Sequence, residues 1–177
     1  MDYESKGRRF ESSTERTLFV NDLFFMGEAL KLALQAAALG EVPVGAVAVK
    51  DDVVIGRGYN RREIDQDPFS HAELIAMREA ASTLKVWRQT GVTVYVTLEP
   101  CAMCAGAMVQ SRVDRLVFGA FDPKAGAVGS LFNLVQDARL NHRVEVVSGV
   151  LGEDCGLVLK TFFKELRAIQ RPRPKTE

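Results

Sequence analysis

From residue 22 onward the chain alternates between two hydrophobic periods. Leu23, Met26, Leu30, Ala33, Leu34 and Ala37 recur at three- and four-residue intervals until Gly40, which predicts an amphipathic helix. Two β-branched runs, 44–49 and 53–59, flank Asp51-Asp52 and predict a hairpin, with Asn60 closing its second strand. Leu74, Ile75, Ala76 and Ala80 predict a second helix over 71–84, and 93–98 reads as a buried strand. Residues 116–120 and 144–150 supply two more strands, and 154–168 a last helix. Strands alternating with helices predict an α/β domain whose sheet is covered on both faces. Residues 1–21 carry no apolar periodicity and are predicted to be a disordered extension. A single domain over 22–170 and a basic tail over 171–177 complete the predicted organisation.

Composition narrows this picture. A chain of 177 residues, 47% of them hydrophobic, can bury one good core and is short for two domains. Its three cysteines point to a reducing compartment rather than a disulfide scaffold, with Cys155 as a buried apolar filler. The start of the chain lacks the apolar run of a signal peptide or membrane span, so a cytoplasmic protein is expected. Net charge is zero, but from Lys160 to the end six basic residues face two acidic ones. That surplus suits phosphates as well as it suits a solvated helix face.

The candidate chemistry lies in His71-Ala72-Glu73 and Pro100-Cys101-Ala102-Met103-Cys104. An imidazole and two thiolates suit Zn²⁺, and three protein ligands leave a fourth tetrahedral position for water, which marks a catalytic site. If Pro100 opens a helix, Cys101 and Cys104 fall one turn apart on the same face. The positive end of that helix also favours thiolates. Two residues from His71, Glu73 faces another way and is left free to handle protons. A structural zinc completed by Cys155 and His142, or a redox dithiol, would use the same cysteines, but the dithiol explains neither His71 nor Glu73.

The H-x-E and P-C-x-x-C pair resembles the signature by which zinc nucleobase deaminases are recognised. Further stretches sharpen it: Glu41-Val42-Pro43-Val44-Gly45-Ala46-Val47, Asn60, Thr97-Leu98-Glu99-Pro100-Cys101, Phe118-Gly119-Ala120, Gly129-Ser130-Leu131, Asn141-His142-Arg143 and Phe162-Phe163. Over about 22–168 the chain resembles the bacterial tRNA-specific adenosine deaminases. The resemblance implies a three-layer α/β/α cytidine-deaminase-like fold with a central mixed sheet of about five strands. It implies a cytoplasmic homodimer with one Zn²⁺ per subunit, held by His71, Cys101 and Cys104. The implied reaction is hydrolytic deamination of adenosine to inosine at the wobble position of a tRNA anticodon stem-loop. Zinc-activated water attacks C6 in that scheme, and Glu73 shuttles the protons.

Substrate contacts implied by the same resemblance are Asn60, Arg62, Asp122, Lys124, Asn141, Phe163 and Arg167. Asn60 would pair with the base edge, or close a turn. Asp122 would accept from a ribose hydroxyl, or cap the turn at Pro123. Phe162 and Phe163 point about 100° apart on a helix, so at least one belongs to the core. Residues 105–109 suit a dimer face as the resemblance implies, but a buried helix has the same look, and core packing is the simpler account. Phe69-Ser70 departs from the smaller residues this family often carries before the zinc histidine. Two other functions use the same motifs: a deaminase of a free base or nucleoside of the guanine or cytosine type, and a non-catalytic zinc-stabilised RNA-binding module.

Overall fold

The computed structural model describes residues 12–170. Its strands are β1 (Gly45–Lys50), β2 (Val53–Tyr59), β3 (Thr93–Leu98), β4 (Arg115–Ala120) and β5 (Glu145–Ser148). They form one mixed sheet in the order β2-β1-β3-β4-β5, with β1 antiparallel to β2 and β3, and with β3, β4 and β5 mutually parallel. Helices α3 (Ala72–Leu84) and α4 (Ala102–Ser111) cover one face, and α1 (Ser13–Ala38) and α5 (Gly152–Gln170) the other. A short α2 (Arg62–Asp65) lies between β2 and α3. This is the three-layer α/β/α arrangement expected of the sequence.

Period-two alternation sorts the strand residues between the faces. Ala46, Ala48, Val94, Val96, Leu116 and Phe118 pack against α3 and α4, while Val47, Val49, Tyr95 and Val117 pack against α1. Ala105, Met108 and Val109 belong to the first of these cores, which settles residues 105–109 as mostly interior. Gly56 and Gly58 let α3 lie close on β2, since a Cβ at either would strike the α3 backbone at Ala76 or Ala72. The hairpin turns at Asp51 and Asp52, with φ of 49° and 57°, the two left-handed residues of a tight two-residue loop.

Several boundaries differ from the sequence reading, among them the last helix, which spans Gly152–Gln170 rather than 154–168. The first helix begins at Ser13, so the extension expected to be disordered is helical from there on. Ser13, Thr14 and Thr17 are exposed on a helix rather than unfolded, because the packed turns from Asp22 onward supply a nucleus that upstream residues extend cheaply. Residues 1–11 and the expected tail at 171–177 lie outside the described residues. Pro100 precedes the helix it was expected to open, for Cys101 is the N-cap of α4. The last strand stops at Ser148, where Gly149 turns the chain with φ 81°. Among the described residues no helix is long and apolar enough to cross a membrane.

Because β1 is antiparallel to both its neighbours, β2, β3 and β4 all point the same way and end at one edge of the sheet. Open α/β sheets place their ligands at that edge. Asn60 follows β2, Cys101 follows β3, and Asp122 follows β4. The segment 41–44 that leads into β1 reaches the same edge.

Candidate active site

His71 and Cys101 occupy equivalent places, each the N-cap of a helix with extended backbone. Glu73 and Cys104 then sit in the first turns of α3 and α4. Cys101 and Cys104 are N-cap and N3 of one helix, positions whose side chains meet in capping boxes, so the local fold itself brings the sulfurs together. Two helix N-termini aim their partial positive charge at this point, which favours thiolates.

The three sequence-predicted ligands converge. His71 Nδ1 lies 3.7 Å from Cys101 Sγ and 3.5 Å from Cys104 Sγ. All three ligand atoms fall within 4.8 Å of one another. Zn–S of about 2.3 Å and Zn–N of about 2.0 Å at a tetrahedral angle require N···S of roughly 3.6 Å, so these residues fit the ion. The two thiols act as one acid: Cys101 is lowered to about 3, chiefly by its hydrogen bond with Cys104, while Cys104 is pushed far up by the same bond and by burial. The hydrogen bond with Cys101 raises His71. Glu73, 4% exposed, is raised by burial.

A cavity of about 230 Å³ opens beside this cluster, lined by His71, Glu73 and Cys101 and by Glu41, Asn60, Arg62 and Asp122. Its size suits one base rather than a drug-sized ligand. A groove of about 580 Å³ adjoins it, sharing Val42, Leu98 and Asp122 and lined further by Phe121, Lys124, Lys160, Phe163 and Arg167. Ten of the eleven sequence-predicted site residues therefore line the cavity, the groove or the metal cluster. Asn141 does not: it is exposed and lines neither space. Asp122 Oδ1 accepts from the Lys124 and Ala125 amides, so it caps the turn at Pro123 while also facing both spaces.

Four residues of the site went unassigned in the sequence. Glu41, 1% exposed, accepts from Asn60 Nδ2 at 3.2 Å and from the Ile64 amide at 2.7 Å. Glu99, 2% exposed, accepts from the amides of Asp122, Val128 and Ser130 and from the Ser130 hydroxyl. Burial acts to raise its carboxyl, but those hydrogen bonds outweigh it and hold Glu99 below the usual carboxylate range. Both glutamates lie in motifs that carried the resemblance, Glu99 directly before Pro100 and Glu41 two residues before Pro43, and that membership was the available signal. Phe121 and Lys160 extend the groove, and only tertiary placement reveals them. Phe69 is exposed and lines neither space.

The segment from Asn60 to His71 is braced from within. Arg61 binds Asp65 through two nitrogens and Tyr59 through a third, and Ser70 donates its hydroxyl to Asp65. Arg61 also donates its amide to Ser70 O, closing the segment at its base. One end thus fixes Asn60 and Arg62, and the other fixes the His71 imidazole.

An open tetrahedral donor set with a buried carboxylate beside it, at the carboxyl ends of parallel strands, defines the hydrolytic nucleobase deaminases as the class. Residues 20–167 match the family model of the MafB19-like deaminases. A tRNA-specific adenosine deaminase of Bacillus subtilis is 55% identical over 146 residues, covering 82% of this chain and 91% of the relative. One from Haemophilus influenzae is 52% identical over 143 residues, covering 80% and 83%. A structure solved in a study of A-to-I editing by tRNA:A34 deaminases superposes with a TM-score of 0.74 at 41% identity, covering 77% of this chain and 99% of the other. The chain belongs to the tRNA-specific adenosine deaminases.

Proposed function

We propose that this enzyme converts adenosine to inosine at the wobble position of a tRNA anticodon stem-loop, with one zinc ion held by His71, Cys101 and Cys104. The observation that carries the reading is the pair of His71 Nδ1 to thiol distances, 3.7 and 3.5 Å, beside buried Glu73 in a base-sized cavity. When bound, the ion supplies Lewis acidity, which lowers the pKa of water from about 15.7 to roughly 7.

The protein's own residues do the rest. Glu73 takes a proton from the attacking water, delivers it to N1 of adenine, and returns one to the departing amine. Adenosine and water become inosine and ammonia, with no net change at Glu73. Asn60 holds the base at the inner wall, and Arg62 stands at the same cavity for a phosphate or ribose. In the groove, Phe163 offers a stacking face, Lys124 and Arg167 offer phosphate contacts, and Asp122 accepts from a ribose hydroxyl. Asn141 serves RNA lying beyond both spaces.

The groove also favours RNA over a free base, because a lone base fills the cavity and leaves the basic and aromatic residues without a role. A homodimer is part of this reading, supported by exposed Leu131 and Phe132 beyond the Glu99-bound loop. Cytoplasmic placement is supported by three free cysteines.

The test is inosine formation on an anticodon stem-loop with adenosine at the wobble position, using wild type and Glu73→Gln, with free adenosine, guanine and cytosine as competing substrates. Inosine from the wild type on RNA, lost in Glu73→Gln at unchanged zinc content, is the expected result. Turnover of a free base in place of RNA would move the enzyme to the other substrate class. RNA binding without any turnover would make it a binding module.

A further inference from the structure

Asn60 is 8% exposed, and its backbone N–H is fixed by Val44 O at 2.9 Å. Its side-chain nitrogen donates to Glu41 Oε2 and to Val42 O, each at 3.2 Å. An amide nitrogen carries two hydrogens, so both are engaged. Each partner is an acceptor, so turning the amide over would set oxygen against oxygen twice. What remains is Oδ1, whose nearest protein donor is the Arg62 amide at a long 3.5 Å.

We propose that Glu41 is a positioning residue that locks the Asn60 amide in one orientation, presenting Oδ1 to the substrate cavity as an acceptor. Glu41 suits the task because it is held itself. Its other oxygen accepts from the Ile64 amide in α2 at 2.7 Å, and 1% exposure denies it an alternative partner in water. Glu41, Asn60 and Glu73 all line the same cavity. An amide free to rotate could pair with a base edge in two ways, whereas a locked one accepts only. The inner wall therefore selects substrates that bring an N–H or O–H to this point, which in adenosine means the exocyclic amine or a ribose hydroxyl. Seen this way, Glu41 sets which hydrogen-bond pattern the cavity reads without touching substrate. This rests on the deaminase reading above for its consequence, but the lock itself is a property of the free protein.

Two measurements on the zinc-loaded, full-length enzyme test it. Hydrogen exchange at the Asn60 side-chain amide, followed by NMR, is expected to be slow in wild type and accelerated at least about tenfold in Glu41→Gln, the size of one lost charge-assisted hydrogen bond. A double-mutant cycle then reads kcat/KM on the stem-loop. Glu41→Gln is expected to cost about tenfold alone and less than about twofold in an Asn60→Ala background, because its effect passes through that amide. Equal costs in both backgrounds, or unchanged exchange in Glu41→Gln, overturn the proposal. Should Glu41→Gln not fold, fast exchange in wild type alone overturns it and slow exchange supports it. Wild type inactive on RNA but with a protected amide sinks the substrate assignment and leaves the lock standing.

Discussion

Ser130 donates both its backbone N–H, at 2.9 Å, and its hydroxyl to the Glu99 carboxylate. Glu99 stands two residues before Cys101 of the candidate metal cluster, and Ser130 closes the loop that follows β4, so this contact ties the groove to that cluster. The amides of Asp122 and Val128, both at 3.0 Å, complete the set, and a Cβ at Gly126 would strike the carboxylate itself. The loop is thus built around one buried acceptor.

Replacing that acceptor tests how much the groove depends on it. Glu99→Gln turns one oxygen into a donor facing N–H groups, so at least one hydrogen bond to a charged group is lost. We expect about 2 kcal/mol of destabilisation in urea unfolding. We also expect a fall in kcat/KM on the stem-loop at full zinc occupancy, because Asp122 and Lys124 ride on the loop. Unaltered unfolding and kinetics would show that the loop is held by other means.

At a distance from the site, Arg115 binds Asp22 through two nitrogens at 2.7 and 2.8 Å, and Tyr95 donates its hydroxyl to the same carboxylate at 2.9 Å. The Asp22 side chain is 5% exposed and that of Arg115 17%, so the pair is largely desolvated. Breaking such a pair by removing one partner costs about 3 kcal/mol. Asp22→Ala is expected to lower Tm accordingly, since α1 is pinned to β3 and β4 here. Activity per folded molecule should hold at 25 °C, because neither Asp22 nor Arg115 lines the cavity or the groove. Equal loss of activity and Tm would tie α1 to the site instead.

The candidate metal cluster was legible because its chemistry is local: spacing at two helix N-termini singles out His71, Cys101 and Cys104, and the structure brings the three side chains within 4.8 Å of one another. The layers were legible from the change of period between helices and strands. What stayed hidden were the acceptors whose donors come from elsewhere in the chain. Glu41 meets Asn60 and Ile64, and Glu99 meets Asp122, Val128 and Ser130, pairings that exist only once the strands have delivered them to one edge. The start of α1 was missed for a different reason: exposure and disorder favour the same polar residues. Asn141 shows the opposite limit, a motif residue that the fold leaves outside both spaces.

Glycine positions offer a contrast in which sign, not only size, is expected to change. A Cβ at Gly58 would collide with the α3 backbone at Ala72, next to His71. Gly58→Ala should therefore cost about 1–3 kcal/mol through overpacking and should weaken zinc retention against a chelator, because α3 carries His71 and Glu73. In the interior of α5, Gly156 has nothing within 4 Å of the added carbon. Gly156→Ala should stabilise by about 0.5–1 kcal/mol through helix propensity and a less free unfolded chain. Calorimetry and zinc release on both variants check this, and a stabilised Gly58→Ala would contradict the close packing of α3 on β2.

Lys160 gives the sharpest reading of the groove. It is exposed, lies on α5 one turn before Lys164, and lines the groove with Phe121, Phe163 and Arg167. If the groove tracks an RNA backbone, each cation releases condensed counterions on binding, and the salt slope of log K falls by about 0.7 for each lost phosphate contact with a single strand. Lys160→Ala is expected to raise KM for the stem-loop and flatten the slope by roughly that amount, with kcat at saturation unchanged because the metal cluster and Glu73 lie in the cavity. Arg78→Ala removes a cation that is exposed on α3 and lines neither space, and it should leave the slope as it is. Equal slopes for wild type and Lys160→Ala would mean that the RNA leaves the cavity by another route.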